Sequence, residues 1–423
     1  MLIVGISTPL LGMVDTAVVG HLSDPIYLGA IAIGAMIFNF LYWGLGFLRM
    51  GTTGLVAKAI GSSQNADIFL VLHRGLGLAL VLGILLILVQ PLLSFVIFSF
   101  IEISEEVRKH AEIYFDIRIW SAPATLMNYV LLGWFLGRSR PKRNVIIVVS
   151  LNLLNIILDI LFVVFMDMNS SGVALATTLA EYFGLVIGLI FVTRDYPKAF
   201  LNIRPKTVFD IEESKQYLKV NFHVMLRTIF LLSSFAIFTL QSAKFGDLIL
   251  AANVILMNLQ TFMAYVLDSI AHAVEVLVGR YFHGNRREKL NNIIWISGWW
   301  SLFVATGFAL LYWLFGKYIV LMLTDIEAVY QLAMAFLPWL VLSPLVSVWS
   351  YWLDGIFIGA NLMKQMRDTM LISLFLFIVL WQLLLPLGNN GLWIALLLFM
   401  LIRGITMYFV AYRKIFKPNR VNE

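Results

Sequence analysis

Apolar residues along this chain come in long runs separated by short polar stretches. Runs long enough to cross a bilayer, at about 20 residues each, fall near 1–22, 27–49, 73–97, 116–137, 144–166 and 171–193. A second set falls near 217–241, 248–271, 292–316, 332–358, 369–388 and 391–412. Glycine and proline interrupt several of them, which membrane helices tolerate. The pattern predicts an all-α integral membrane protein with twelve transmembrane helices. The longest polar stretch, "RDYPKAFLNIRPKTVFDIEESK" (194–215), divides it into an N-terminal lobe (1–193), a connector (194–216) and a C-terminal lobe (217–423), with six spans in each lobe.

Lysine and arginine orient the spans. Loops after the even-numbered spans and the C-terminus carry most of them, including Lys58, Arg74, Arg138, Arg140, Lys142, Arg143, Arg286, Arg287, Lys289, Arg413 and Lys414. The opposite loops carry Arg108, Lys109, Lys244 and Lys317. Both termini are therefore expected in the cytoplasm, with the chain multi-pass in the cytoplasmic (inner) membrane. The first run begins at Met1 without a basic leader or a small-residue cleavage site, so it reads as a retained span rather than a signal peptide.

Composition agrees. The chain of 423 residues is 61% hydrophobic and only 13% charged, with a mean hydropathy of +0.90. A soluble domain runs nearer a quarter charged, so the solvent is lipid. The net charge of +6 is spread along loops rather than gathered for nucleic acid. With no cysteine, disulfides, iron–sulfur clusters and thiolate metal sites are excluded.

The halves resemble each other at an offset of 222 residues. "LVAK" (55–58) matches "LVGR" (277–280), "LGAIAI" (28–33) matches "LAANVI" (250–255), and "WFLG" (134–137) matches "IFIG" (356–359). With six spans per half, both halves enter from the same side, a parallel repeat about an axis along the membrane normal. Transporters use this arrangement around a central cavity.

The costly residues are the intramembrane acids. Asp15 in "LLGMVDTAVVGHL", Asp159 in "LNLLNIILDILFVVFM" and Thr177 in "GVALATTLAEY" each lie seven residues from the outer end of a span. At 1.5 Å per residue they share a depth of about 10 Å. Asn152, Asn155 and Asp159 fall on one face of the fifth span, and Glu181 lies one turn below Thr177. No basic residue is expected at that depth in this half. Two neighbouring carboxylates in low dielectric do not both ionise cheaply, so one holds a proton or a monovalent cation sits between their oxygens. Asn152, Asn155 and Glu181 could equally serve as interhelical glue.

The repeat does not reproduce these acids. The second half carries Arg227, Asp268, His272, Glu275 and Asp354 instead. The spacing of Asp268, His272 and Glu275 superficially resembles a metal site. The better reading is that Arg227 pairs with Asp268 or Asp354, because buried charges are normally paired. Arg49 is a candidate to close the inner side of the cavity, and most of the aromatic residues read as belt or packing.

"PLLGMVDTAVVGHL" with "LGAIAIG", "LNLLNIILDILFV" leading into "GVALATTLAEY", and "YWLDGIFIGA" (351–360) resemble the multidrug and toxic compound extrusion (MATE) family; "FLRMGTTG" (47–54) and "YVLDSIAHAVE" (265–275) resemble its DinF branch. The resemblance covers essentially the whole chain. It departs at the start, where such proteins carry further residues with a proline that lets the first helix bend; here Pro9 is the proline available. The resemblance implies a V-shaped fold and an antiporter that exchanges protons, less readily sodium, for organic cations or amphipathic toxins. It implies Asp15 as the coupling carboxylate, surrounded by Asn155, Asp159 and Thr177. Arg227 lies where other branches carry a sodium-binding carboxylate, while Asp354 is retained. A monomer is expected, with no cofactor or resident metal and no nucleic acid.

The alternative within the same superfamily is a flippase for lipid-linked intermediates, which calls for a cationic cavity where this first half shows acids. An enzyme would need a nucleophile–base pair or a metal cluster, yet the six histidines are scattered and there is no Walker A motif.

Overall fold

A computed structural model describes residues 25–63, 65–101, 103–196, 211–324 and 326–417. The first expected span, and Asp15 with it, lies outside the described residues, as does most of the connector.

Among the described residues all regular structure is helical. In chain order the helices are α1 (Pro25–Gly44), α2 (Phe47–Gly61), α3 (Asn65–Leu88), α4 (Gln90–Ser99), α5 (Glu105–Arg118), α6 (Ala122–Gly137), α7 (Pro141–Asp159) and α8 (Asn169–Asp195). They continue as α9 (Ile211–Ala243), α10 (Asp247–His283), α11 (Arg287–Leu323), α12 (Glu327–Gly359), α13 (Met363–Leu384) and α14 (Gly388–Ala411). In hydrocarbon every backbone polar group must be satisfied within the chain, and helices do this locally.

Every expected span after the first falls on helix, but several boundaries move. The run 27–49 breaks at Leu45–Gly46 into α1 and α2, and 73–97 breaks at Val89, where Pro91 opens α4. The span expected from 116 starts at Glu105. Ser104 caps α5 by accepting the Val107 N–H at 3.4 Å, and Glu105 and Glu106 complement the helix dipole. This polar segment is amphipathic and buries Ala111, Tyr114, Phe115 and Arg118. It passes through the tight turn Ile119–Ser121 into α6, whose Pro123 forgoes an N–H bond. α10 and α11, at 37 residues each, run roughly 55 Å and outreach a hydrocarbon core of about 30 Å.

Two compact units emerge. One comprises Met1–Val56 with Gln64–Lys219, the other Ala57–Ser63 with Val220–Glu423. The last turns of α2 thus pack with the second unit, where a Cβ on Gly279 would come within 2.4 Å of Ala57 Cβ.

The repeat is visible in backbone geometry. In the first unit, a Cβ on Gly133 would lie 2.4 Å from the Arg49 carbonyl oxygen, and one on Gly137 2.9 Å from that of Thr53. In the second unit, 222 residues on, Gly355 stands 2.3 Å from the Ala271 oxygen and Gly359 2.4 Å from that of Glu275 by the same measure. Lipid tails are as apolar as leucine, so helix association depends on close packing at small residues. Both units use the same glycines to bring the same pair of helices together. Helix ends repeat as well: Ser63 and Asn285, and Ser139 and Asn361, all take left-handed φ of 56–60° or 52°. At the paired ends of α6 and α12, Arg140 N–H donates to the Phe135 carbonyl at 2.8 Å and Leu362 N–H to that of Phe357 at 2.9 Å.

Candidate functional site

In the first unit α7 turns Asn155 and Asp159 inward, both 0% exposed, and leaves Asn152 half-buried. α8 brings Thr177 to Asn155. Asn155 Nδ2 donates to Thr177 Oγ1 at 3.4 Å, and that hydroxyl donates to the Val173 carbonyl at 2.8 Å. The threonine is therefore fixed as an acceptor toward the amide. Immediately after Asp159 the helix widens into a π turn, Ile160–Phe165. Such widenings recur at functional sites because they re-aim one side chain out of register.

Glu181 is held differently. Asn128 Nδ2 on α6 donates to both its Oε2 and its backbone oxygen, each at 2.9 Å. Sequence reading did not single out Asn128. Nor did it find a cation at this depth, and here the structure corrects it. Thr178 Oγ1 donates to the Ile117 carbonyl at 3.4 Å, placing α5 beside α8 at the level of Thr177. Arg118, the next residue, is buried, and its charge acts on that of Glu181. Its Nη1 donates to Ser121 Oγ at 2.5 Å, and its guanidinium lies over the Phe38 and Tyr42 rings at 5.5 and 5.7 Å. Tyr42 Oη completes the contact with Ser121 Oγ at 3.1 Å. Arg118 escaped notice because it stands at the very start of the span expected from 116, just after the polar stretch 105–115; only the spacing of Ala111, Tyr114, Phe115 and Arg118 marks an inward face.

In the second unit Arg227 pairs with Asp354, through Nη2 and Oδ2. Arg403 Nη2 bonds the same Oδ2. Asp354 and Arg227 are 4% and 5% exposed, and Arg403 is 0% exposed. Asp268 adds its field to Arg227, and the Tyr351 ring lies 5.9 Å from the Arg403 guanidinium. Two guanidinium groups, two carboxylates and a phenol thus balance one another. Arg403 was legible as an arginine inside the apolar run "FMLIRGITM", the same signal that singled out the acids. The 222-residue offset carries Glu181 onto Arg403 and Tyr129 onto Tyr351, so equivalent places in the two units hold opposite charges. His272 keeps to its own helix, with Nδ1 3.4 Å from Glu275 Oε2. Among the described residues no three His, Asp or Glu side chains converge as a metal site.

These geometries sit on a fold seen before. The chain is similar to a MOP superfamily transporter from Pyrococcus furiosus (TM-score 0.84, 18% identity, covering 98% of this chain and 93% of that one). It is equally similar to a MATE protein in its bent conformation (TM-score 0.84, 19% identity, 98% and 93% covered). In sequence it is 40% identical to DNA damage-inducible protein F of Escherichia coli (strain K12) over 408 residues, 96% of this chain and 89% of that protein. Identity to a probable multidrug resistance protein NorM of Acinetobacter baylyi is 25%, over 95% and 91% of the two chains. The MatE family profile matches residues 1–161 and 224–383. This chain, an all-helical multi-pass membrane protein, belongs to the MatE family, whose members are transporters and not enzymes.

Proposed function

We propose that the chain is a secondary antiporter that exports organic cations or amphipathic toxins in exchange for protons, with Asp15 as the coupling carboxylate and Asn155, Asp159 and Thr177 around it. Relatives at 40% and 25% identity carry the names DNA damage-inducible protein F and multidrug resistance protein NorM, which supports export of small molecules. The observation that carries the reading is the closed face of the first unit, where Asp159 and Asn155 are fully buried and Asn155 is tied to Thr177. A buried intramembrane carboxylate is expensive and is kept for a proton or ion relay.

The charge balance favours protons over sodium and exporter over flippase. In the second unit two arginines occupy Asp354 Oδ2, leaving that carboxylate committed rather than open to a sodium ion. In the first unit the carboxylates of Asp159 and Glu181, together with Asp15 in the sequence, suit a cationic cargo. A flippase for pyrophosphate lipids calls for the opposite sign. The lysine and arginine distribution supports both termini in the cytoplasm, and the polar stretch at 194–216 a connector between lobes 1–193 and 217–423. The protein acts as a monomer in this reading.

The test is efflux of a fluorescent organic cation from proteoliposomes under a pH gradient alone and a sodium gradient alone. Efflux on the pH gradient supports the reading. Efflux on sodium only, or on neither, overturns it.

A further inference from the structure

A groove of about 490 Å³ opens between α11 and α12, with Phe416 completing its lining. Trp295 and Trp299 form its outer wall, 68% and 57% exposed; Trp349, 38% exposed, and the buried Trp352 line the α12 side. Trp352 is pinned, its Nε1 donating to Ser297 Oγ at 2.9 Å. Gly298 forms the floor: a Cβ there would already touch the Trp352 ring at 3.5 Å.

Length and charge identify the occupant. From Asn291 to Leu302 the groove follows α11 for about 16 Å, roughly half a hydrocarbon core of 30 Å. That is the depth of one leaflet. Its polar end lies at Asn291, one turn from the start of α11, where Arg286 and Lys289 are exposed on either side of a single acid, Glu288. The turn that delivers Phe416 carries exposed Arg413, Lys414 and Lys417. Arg287 Nη2 ties these segments together by donating to the Phe416 carbonyl at 2.5 Å. An aromatic slot one leaflet deep, with several cations at its headgroup end, fits an anionic phospholipid. The same cations repel the organic cations of the proposed transport cycle, so the groove is not their entry port.

We infer that this groove is a selective site for one anionic phospholipid, its acyl chain among the tryptophans and its phosphate at Arg286, Lys289, Arg413 and Lys414. The test is native mass spectrometry of the purified full chain, offered phosphatidylglycerol or phosphatidylcholine with identical acyl chains. Wild type should retain one phosphatidylglycerol with roughly tenfold or greater preference. Replacing Arg286, Lys289, Arg413 and Lys414 together by Gln should bring that preference close to unity. Gly298→Leu, which fills the floor, should lose both lipids; Trp295→Ser with Trp299→Ser removes the outer wall without adding bulk and should do the same. Equal retention of the two lipids by wild type overturns the inference. So does undiminished phosphatidylglycerol binding in the groove variants, which would reduce the site to a charged surface.

Discussion

Arg403 and Asp354 meet through Nη2 and Oδ2 inside the second unit, and Arg227 reaches the same oxygen from α9. A carboxylate held between two buried guanidinium groups is a structural keystone, because removing it leaves two like charges facing each other out of water. Breaking a buried pair in this way costs about 3–5 kcal/mol. Asp354→Ala should therefore unfold at markedly lower temperature in detergent. Arg403→Met should cost clearly less, since Arg227 still pairs with Asp354. Equal losses in the two variants would contradict this account of the cluster.

The glycines of the repeat make a second prediction. Gly133→Ala and Gly355→Ala push a methyl into a carbonyl oxygen at 2.4 and 2.3 Å, so both should reduce the yield of folded protein. Gly77 and Gly307 have nothing within 4 Å of a Cβ. Alanine there should be neutral or stabilising by up to about 1 kcal/mol. Thermal stability of the four variants, measured side by side, checks the ordering.

Arg118 and Glu181 should behave as a coupled pair. Glu181→Gln removes the charge that balances Arg118, and Arg118→Met does the reverse, so each single change destabilises. The double variant should recover part of the loss, with an interaction energy of roughly 0.5–3 kcal/mol. Strict additivity in the thermodynamic cycle would show that the two charges are independent.

The neighbouring threonines separate packing from coupling. Thr178 reaches across to the Ile117 carbonyl, whereas Thr177 accepts from Asn155. Thr178→Val should lower stability with little change in transport per folded molecule. Thr177→Val should slow pH-driven transport at near-normal stability, because it strips Asn155 of its partner beside Asp159. Transport rate divided by the amount of inserted protein distinguishes the two.

The architecture was largely legible in the sequence because lipid imposes a coarse rule, long apolar runs, and because the duplication repeats its glycines and helix ends. Boundaries were misread where a polar face hides an inward stripe, as at Glu105–Arg118, and where proline breaks a run, as at Pro91. Intramembrane acids attracted attention through their cost, and Asn155 with Thr177 did meet as the helical spacing suggested. Arg118 and Asn128 were missed because an arginine near a presumed loop reads as solvated and a buried amide carries no periodic signal. Arg403, inside an apolar run, carried the same cost signal as the acids and was passed over. Partner choice, such as Arg227 and Arg403 meeting at one oxygen of Asp354, depends on helix packing that no local pattern encodes.

The most direct test of the coupling assignment is efflux from proteoliposomes under an imposed pH gradient, comparing wild type with Asp15→Asn at matched insertion and stability. The account predicts that wild type exports its substrate and that Asp15→Asn binds it but does not export it. Transport by Asp15→Asn at the wild-type rate would contradict the assignment and make the first-lobe carboxylates structural.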